Sequence, residues 1–249
     1  MESDKSFTPP NFEQPVANFI ERSLNGSQEY VDFIPESHLR IWYNNQAEGY
    51  ANHYHDALEI IVCAENQYIV IANNQTYTLN VGDILIIPPC MLHELHSQPY
   101  GARFIYLIDV NMMECFQDYK MLDPILMEPY LCTASSRPEV YQHIYDSLMQ
   151  MANTYFSQQI FWETSIYSVL LDIFMTIGVN YFCKNSNKET DSSDSKQPEN
   201  YEMFANLLNF IDAHYADNLT LEQAADYIGF SKYHFTRLFK NFTGVSFYK

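Results

Sequence analysis

The sequence predicts an α+β fold, in which a β-barrel or sandwich is followed by helices and then by a small all-α unit. Three observations predict it. Residues 38–110 contain short segments rich in β-branched and aromatic side chains, with no helical pattern between them. From about Glu139 to Cys183 the apolar residues recur at helical spacing instead. Residues 184–200 contain no aliphatic or aromatic residue, and helical spacing returns after them.

These changes divide the chain into five parts. They are an N-terminal arm (1–37), the barrel (38–110), a helical segment (111–183), a linker (184–200) and the C-terminal helical unit (201–249). The linker alternates charged residues with Ser and Asn, so it cannot bury enough apolar surface to order itself.

Composition limits the function classes. The chain has 249 residues and a net charge of −18, so its average surface repels nucleic acid and anionic membranes, and any DNA binding must be local. The N-terminus has no apolar signal segment, and the five cysteines show no CxxC spacing, which predicts a cytoplasmic protein with reduced thiols. The most apolar stretch is interrupted by Ser168, Asp172, Thr176 and Asn180, which predicts a buried helix and no membrane span.

Six segments within the barrel region are predicted as strands. They cover residues 38–44, 57–66, 67–72, 75–80, 83–89 and 102–110. Asn73 and Asn74 separate two of them and suit a tight hairpin, because Asn tolerates positive φ.

Two amphipathic helices are predicted after the barrel. Their apolar faces are Ile144, Leu148, Met151 and Tyr155 in the first and Ile166, Val169, Leu170, Ile173 and Ile177 in the second. These helices could cover the barrel or pack against a second copy of it, and the sequence favours neither reading.

The C-terminal unit has the pattern of a helix-turn-helix. Thr220 and Gln223 form a capping box at the start of one helix, and Gly229 ends that helix. Ser231 caps a second helix, and the small residues Ala224 and Ala225 on the first helix allow the two to cross closely. The apolar positions are Leu221, Ala224, Ala225 and Ile228 in the first helix and Phe235, Leu238, Phe239 and Phe242 in the second.

The second of these helices carries a polar, basic face opposite its phenylalanines. Between Gly229 and Lys249 there are four basic residues and no acidic one. Arginine can pair with guanine, asparagine with adenine, and lysine can neutralise phosphate, so this face suits a major groove. An ordinary helical hairpin with a solvated basic face is the alternative. The candidate DNA-contacting residues are Ser231, Tyr233, Thr236, Arg237, Lys240 and Asn241.

The stretch from Leu219 to Lys249 resembles the first helix-turn-helix of the AraC/XylS transcription regulators. The resemblance rests on the apolar frame of both helices, the Gly-Phe-Ser turn and the pattern RLFK..TG.S. In that family two such motifs are joined by a long helix. This chain ends at Tyr248-Lys249, where the joining helix should begin, so we expect a truncated DNA-binding domain that lacks the second motif.

Four residues of the barrel region form a candidate metal site. His53, His55 and Glu59 share strand parity and would project from one face, and His93 comes from a later strand. Three imidazoles and one carboxylate suit Zn, Fe, Mn or Ni, with positions left for a ligand. The alternative is a set of hydrogen-bonded polar side chains at the mouth of the barrel.

This arrangement resembles the cupin barrel, whose motifs are HxH with a following Glu, and G-x5-P with a later His. Gly82, Pro88 and His93 match the second motif, whereas Pro-Pro-Cys replaces its usual P-x-G. The resemblance implies an effector-binding barrel in which no cofactor is required and a divalent metal is optional. The candidate effector-binding residues are Trp42, Tyr43, Tyr50, His53, His55, Glu59 and His93, the aromatic ones being equally compatible with the barrel wall.

Together these features favour a ligand-responsive transcription regulator. The barrel would bind a small effector, a carbohydrate being one candidate, the helices would form a homodimer, and the C-terminal unit would read promoter DNA. A metal-dependent cupin enzyme of the dioxygenase or isomerase type is the alternative. A third interpretation takes these 249 residues as a dimerising sensor without its own operator affinity.

Overall fold

The structure is a computed structural model. It describes residues 12–15, 23–46, 49–96, 100–111, 113, 116–122, 125–186, 207, 210–211, 214, 219–228, 232, 235–236, 239–240 and 246–248. The structure confirms the predicted α+β class, with antiparallel sheets first and helices after them.

Eleven strands in the described residues form three antiparallel sheets. They are β1 (Ser23–Asn25), β2 (Gln28–Tyr30), β3 (Leu39–Asn44), β4 (Tyr50–His53), β5 (Leu58–Cys63), β6 (Gln67–Ala72), β7 (Gln75–Asn80), β8 (Ile84–Ile87), β9 (His93–Leu95), β10 (Arg103–Ile108) and β11 (Tyr130–Cys132). The two large sheets have the strand orders β11-β8-β5-β10-β3 and β4-β9-β6-β7, and β1 and β2 form a separate hairpin.

The three central strands of the five-stranded sheet are buried on both faces, which explains their mostly apolar sequences. Every residue of β5, β8 and β10 is buried. Strand alternation directs Ile61 and Ile105 towards the four-stranded sheet, where they join the barrel interior. Their neighbours Ile60 and Tyr106 point the other way, into a core shared with the helices.

Each of the six predicted strand segments contains an observed strand, and the ends of that strand lie within a few residues of the predicted ones. The Asn73-Asn74 turn also forms as predicted, with φ of 49° and 60°, between Ala72 and its partner Gln75. The strands that the pattern did not single out are short, and β11 lies inside the segment predicted as helical. There it pairs with β8, so the sheet extends beyond the predicted barrel boundary at residue 110.

Two long helices cover the outer face of the five-stranded sheet. Helix α1 (Tyr141–Ser157) and helix α2 (Trp162–Ser186) pack on each other and on the sheet, and Tyr106 Oη donates a 2.7 Å hydrogen bond to the Leu148 carbonyl. The apolar faces predicted for them lie in this core, Val169 being only half-buried. The reading of these helices as core cover is therefore correct for their inner faces.

The outer face of α2 is apolar and exposed. By length and composition, Trp162–Lys184 could cross a membrane, with a mean hydropathy of 1.6, but one such helix is weak evidence of a span. Only 28% of its most apolar window is buried, so the prediction of a buried helix holds for one side alone.

The C-terminal unit contains helix α3 (Leu221–Tyr227), which begins at the predicted capping box. Thr220 Oγ1 accepts from the Gln223 amide, and the Gln223 side chain accepts from the Thr220 amide. A small core joins this helix to Phe235 and Phe239 and includes Met127, which lies shortly before β11. The predicted roles of Gly229 and Ser231 fall outside the described residues.

Gly82 fixes the contact between the barrel and α1, and its replacement should be costly. Its φ is +90°, and a Cβ there would lie 2.7 Å from Tyr141 Oη, which donates to the Gly82 carbonyl at 3.0 Å. We expect Gly82→Ala to lower the free energy of unfolding by about 1–3 kcal/mol, measured by denaturant unfolding.

Gly26 is the matched control, because its φ is +63° but a Cβ there would meet nothing within 4 Å. Gly26→Ala should cost ~1 kcal/mol from backbone conformation alone. Equal effects of the two substitutions would show that the nearby Tyr141 hydroxyl adds nothing to the backbone cost at Gly82.

Candidate functional site

The four predicted metal-ligating residues converge on one buried point between the two large sheets. One ligand atom from each of His53, His55, Glu59 and His93 lies within 4.8 Å of all the others. None of the four side chains is more than 4% exposed. Burial of so many ionisable groups is costly unless they pair or bind an ion, so this cluster needs a chemical reason.

The sequence predicted that shared strand parity would bring three of these side chains together. The structure brings them together in a different way. Strand β4 ends at His53, which pairs with His93 of β9 in the four-stranded sheet. His55 lies in the connection that follows, and Glu59 lies on β5 in the other sheet. The connection between β4 and β5 therefore crosses from one sheet to the other, and this crossing brings the ligand atoms together.

Each histidine is oriented by a backbone carbonyl. Nδ1 lies 2.8 Å from the Ala51 carbonyl in His53, 3.1 Å from the Ala57 carbonyl in His55 and 2.8 Å from the Met91 carbonyl in His93. A carbonyl can only accept, so Nδ1 carries the proton in all three rings. In the neutral imidazole this leaves the Nε2 lone pair free to bind a metal.

Glu59 lies among these rings and holds them by charge. Its Oε2 is 3.0 Å from His55 Nε2 and 2.9 Å from His93 Nε2. Burial by itself would raise the pKa of Glu59, but the neighbouring His93 and His55 outweigh it and hold that pKa well below its usual range. Burial would lower the pKa of His55, and the carboxylate of Glu59 raises it instead.

The donor set fits a divalent transition metal. Three imidazoles, each with its Nδ1 hydrogen-bonded to a backbone carbonyl, and one carboxylate are a donor set that Zn, Fe, Mn or Ni accepts. The His93 Nε2–Glu59 Oε2 contact is short but lacks hydrogen-bond alignment, as expected of two ligands aimed at a common centre. The site residues would hold the metal, and the metal would supply Lewis acidity towards a bound ligand.

A fifth residue, an acidic one that sequence reasoning missed, reaches this cluster from the N-terminal arm. Glu29 lies on the β1–β2 hairpin, with its Oε2 3.3 Å from His53 Nε2. The hairpin is held by hydrogen bonds from the Glu29 amide to the Tyr54 carbonyl and from the Tyr54 amide to the Ser27 carbonyl. No spacing links Glu29 to the HxH motif, so the pattern of the sequence offered no signal for it.

The predicted aromatic effector residues do not share one surface. Trp42 and Tyr50 are half-buried against the barrel interior, and the Tyr50 ring lies 6.4 Å from that of His53. Tyr43 alternates to the other face of β3, where it packs on Phe12 at 4.7 Å and on Phe104 at 5.0 Å. Strand alternation thus separates Tyr43 from the cluster.

The described part of the predicted DNA-contacting helix has the expected two faces. Phe235 and Phe239 are buried in the small C-terminal core, whereas Lys240 is exposed and Thr236 half-buried. The Thr236 hydroxyl donates to the Lys232 carbonyl at 2.8 Å. Ser231, Tyr233, Arg237 and Asn241 lie outside the described residues.

Comparison with known proteins assigns both units. A family model for the AraC-like ligand binding domain matches residues 38–170, which is more than half of the chain. The chain belongs to the AraC family. A second model, for the AraC-family bacterial regulatory helix-turn-helix proteins, matches residues 211–247. This AraC-family chain is therefore a transcription regulator with a cupin-like ligand-binding domain and a helix-turn-helix domain.

Three proteins to which the chain is similar share little sequence with it. The chain is 22% identical over 216 residues to the uncharacterized HTH-type transcriptional regulator YbfI of Bacillus subtilis (strain 168), covering 85% of this chain and 73% of YbfI. It is similar to the AraC-like transcriptional activator CuxR, with 9% identity, a TM-score of 0.37 and coverage of 75% of this chain and 61% of CuxR, less than two thirds of its length. A variant of apo ToxT from Vibrio cholerae strain SCE256 gives 13% identity, a TM-score of 0.37 and coverage of 84% and 94%.

Proposed function

We propose that this AraC-family regulator acts in the cytoplasm, binds promoter DNA through the helix that contains Thr236 and Lys240, and responds to a small effector bound in its barrel. The observation that carries the proposal is the combination of two features in one chain. A buried cluster of ligand-binding groups lies in the sensor domain, and a basic helix lies in a chain of net charge −18. Effector binding alters DNA binding only as far as it favours one of two arrangements of the chain.

The cluster of His53, His55, Glu59 and His93 holds one divalent metal ion in this proposal. The oriented Nδ1 protons support it, because they turn each Nε2 towards the shared centre as a possible metal ligand. Native mass spectrometry of the purified protein would report bound metal, retained small molecules and subunit number in one spectrum.

The protein forms a homodimer through the exposed face of α2 in this proposal. The large apolar side chains of this face are Leu171, Met175, Val179 and Phe182, which are 36%, 60%, 58% and 36% exposed. They recur at helical spacing over three turns, so they form one continuous stripe. A second copy of the same helix offers a matching stripe, as a two-fold interface requires.

Charging this stripe should separate the subunits. We expect the double change Met175→Glu and Val179→Glu to shift the protein from dimer to monomer in analytical ultracentrifugation, because it would bury like charges against each other. Gln150→Glu on the exposed face of α1 is the control and should leave the mass unchanged. A double variant that stays dimeric would place the interface elsewhere.

Arg237 is the residue of the basic helix that we expect to read a base. In the full-length protein, Arg237→Ala should weaken operator binding by about 1–3 kcal/mol and relax base preference at one position. Lys240→Ala should instead weaken binding to all sequences equally. It should also reduce the slope of the log binding constant against log salt concentration by about one. Fluorescence anisotropy over a salt series distinguishes the two effects. Unchanged affinity for both variants would show that this face of the helix does not enter the major groove.

A metal-dependent enzyme is the second candidate, favoured by the cupin-type donor set. Against it, the Glu29 carboxylate approaches the cluster at His53 and so crowds a position that a substrate would need. Turnover that required His55 while DNA binding persisted in His55→Ala would establish the enzyme.

A further inference from the structure

A buried arginine at the other end of the barrel lacks a partner for its charge. Arg103 on β10 is 1% exposed and faces the barrel interior. Its Nη1 donates to the Gln46 and Gly101 carbonyls, both at 3.3 Å. Its Nε and Nη2 have no hydrogen-bond partner among the described residues, and no carboxylate there forms an ion pair with it. Buried guanidinium groups are otherwise paired, because an isolated charge is costly to remove from water.

Arg40 shows how a buried arginine of this sheet binds when acceptors are present. This arginine is equally buried and lies on the same face of the sheet. Its Nε donates to the Asp32 carbonyl at 2.5 Å and its Nη2 to Asp32 Oδ2 at 3.0 Å. Nε and Nη2 form the side of a guanidinium that meets two oxygens at once. In Arg103 the Nε and Nη2 atoms of this side have no acceptor among the described residues.

Tyr68 adds a further polar group at this place. The Arg103 guanidinium lies over the Tyr68 ring, with Cζ 4.4 Å from the ring centroid. The Tyr68 hydroxyl is buried and makes no hydrogen bond of acceptable geometry among the described residues. At this end of the barrel, two buried nitrogens of Arg103 and the hydroxyl of the adjacent Tyr68 therefore have no well-aligned acceptor.

The backbone beside Arg103 is held tightly, so this end of the barrel is preorganised. The Ala64 and Glu65 amides both donate to the Ala102 carbonyl at 2.9 Å. A Cβ on Gly101 would clash with the Glu65 carbonyl oxygen, so the two chain segments touch there. The Gly101 carbonyl that accepts from Nη1 is thus fixed in position. This carbonyl in turn holds the Arg103 guanidinium group in place.

We propose that Arg103 and Tyr68 bind a carboxylate group of the effector. The proposal rests on the proposed function, in which the barrel is the effector site, and it names the ligand class. A planar carboxylate presents two oxygens to Nε and Nη2, and one of them also accepts from the Tyr68 hydroxyl. A neutral carbohydrate would leave the charge of Arg103 uncompensated.

This subsite is separate from the histidine cluster. On β10, Arg103 is paired with Cys63, and Leu107 with Glu59. Arg103 and Leu107 are four residues apart on this strand, so Arg103 and Glu59 lie about 14 Å apart along it at ~3.4 Å per residue. Apolar side chains such as Ile61 and Ile105 lie between them. The carboxylate therefore binds Arg103 and not the metal cluster.

The test is a titration of the wild-type protein with acetate and benzoate, followed by the ¹⁵N NMR signal of the Arg103 Nε–H group. Arg103→Lys identifies that signal by its loss. We expect a saturable shift with both carboxylates and none with acetamide or benzamide at equal ionic strength. Tyr68→Phe should weaken carboxylate binding by ~5–10-fold, as for loss of one hydrogen bond, and keep the ring. Arg103→Gln should weaken it by at least ~10-fold.

Arg137→Lys is the matched control, because Arg137 also lies over a tyrosine ring, 4.0 Å from that of Tyr130, but its Nε already donates to the Leu131 carbonyl. Its replacement should leave the titration unchanged. No shift of the Arg103 signal with any carboxylate, an equal shift with the amides, or tighter binding of inorganic phosphate would overturn the assignment. Operator binding by the full-length protein is measured separately, so its loss would count against the proposed function alone.

Discussion

His93→Ala should lower the affinity for a divalent metal by more than the ~10–100-fold that loss of an outer-shell partner costs. The reason is that His93 Nε2 lies beside Glu59 Oε2 in the shared centre, so its removal deletes one of four ligand atoms. Isothermal titration of the metal-free protein with Zn²⁺ or Ni²⁺ measures the effect.

His96→Ala is the matched control for this experiment. His96 lies three residues further along the chain, but its Nε2 approaches Glu94 at 3.4 Å and not the cluster. We expect the control to keep the wild-type affinity and a stoichiometry of one ion per chain. Equal affinities of the two variants would show that the four side chains form a hydrogen-bonded polar group and no metal site.

Asp32→Ala should be among the most destabilising substitutions in the sensor domain, at about 3–5 kcal/mol. Asp32 supplies both the backbone and the side-chain acceptor for Arg40, and Ala removes only the carboxylate. Arg40 is 1% exposed, so its charge would remain buried without compensation. Denaturant unfolding of the two proteins gives the difference directly.

The pair Lys184–Glu139 calibrates that prediction, because both of its side chains are well exposed, at 43% and 53%. Glu139→Ala should leave the free energy of unfolding close to that of the wild type, because water screens an exposed pair. If Asp32→Ala cost no more than Glu139→Ala, water would have to reach Arg40, and the burial of this pair would not stabilise the barrel.

The sequence predicts those parts of the fold that local patterns determine. The long strands show in runs such as Ile84–Ile87, the hairpin turn in Asn73-Asn74, and the start of α3 in Thr220 with Gln223. In each case the signal and the structure it predicts lie within a few residues of each other. The site residues His53, His55, Glu59 and His93 came from spacing and resemblance, and the structure brings them together.

Long-range pairing is what the sequence could not supply. Strands of three residues such as β11 are too short for a period to show, and they form because a longer strand offers them a free edge. Glu29 and Arg103 carry no local signal either. The first becomes part of the site through a hairpin bound to Tyr54, and the second is notable only because two of its nitrogens lack partners after folding.

Selection of bound sequences from a random DNA pool by the full-length protein tests the central claim most directly. The account predicts enrichment of one shared motif, and loss of preference at one of its positions with Arg237→Ala. Enrichment of no common motif, with equal binding to all DNA, would contradict the assignment of a sequence-reading helix to the basic end of this acidic chain.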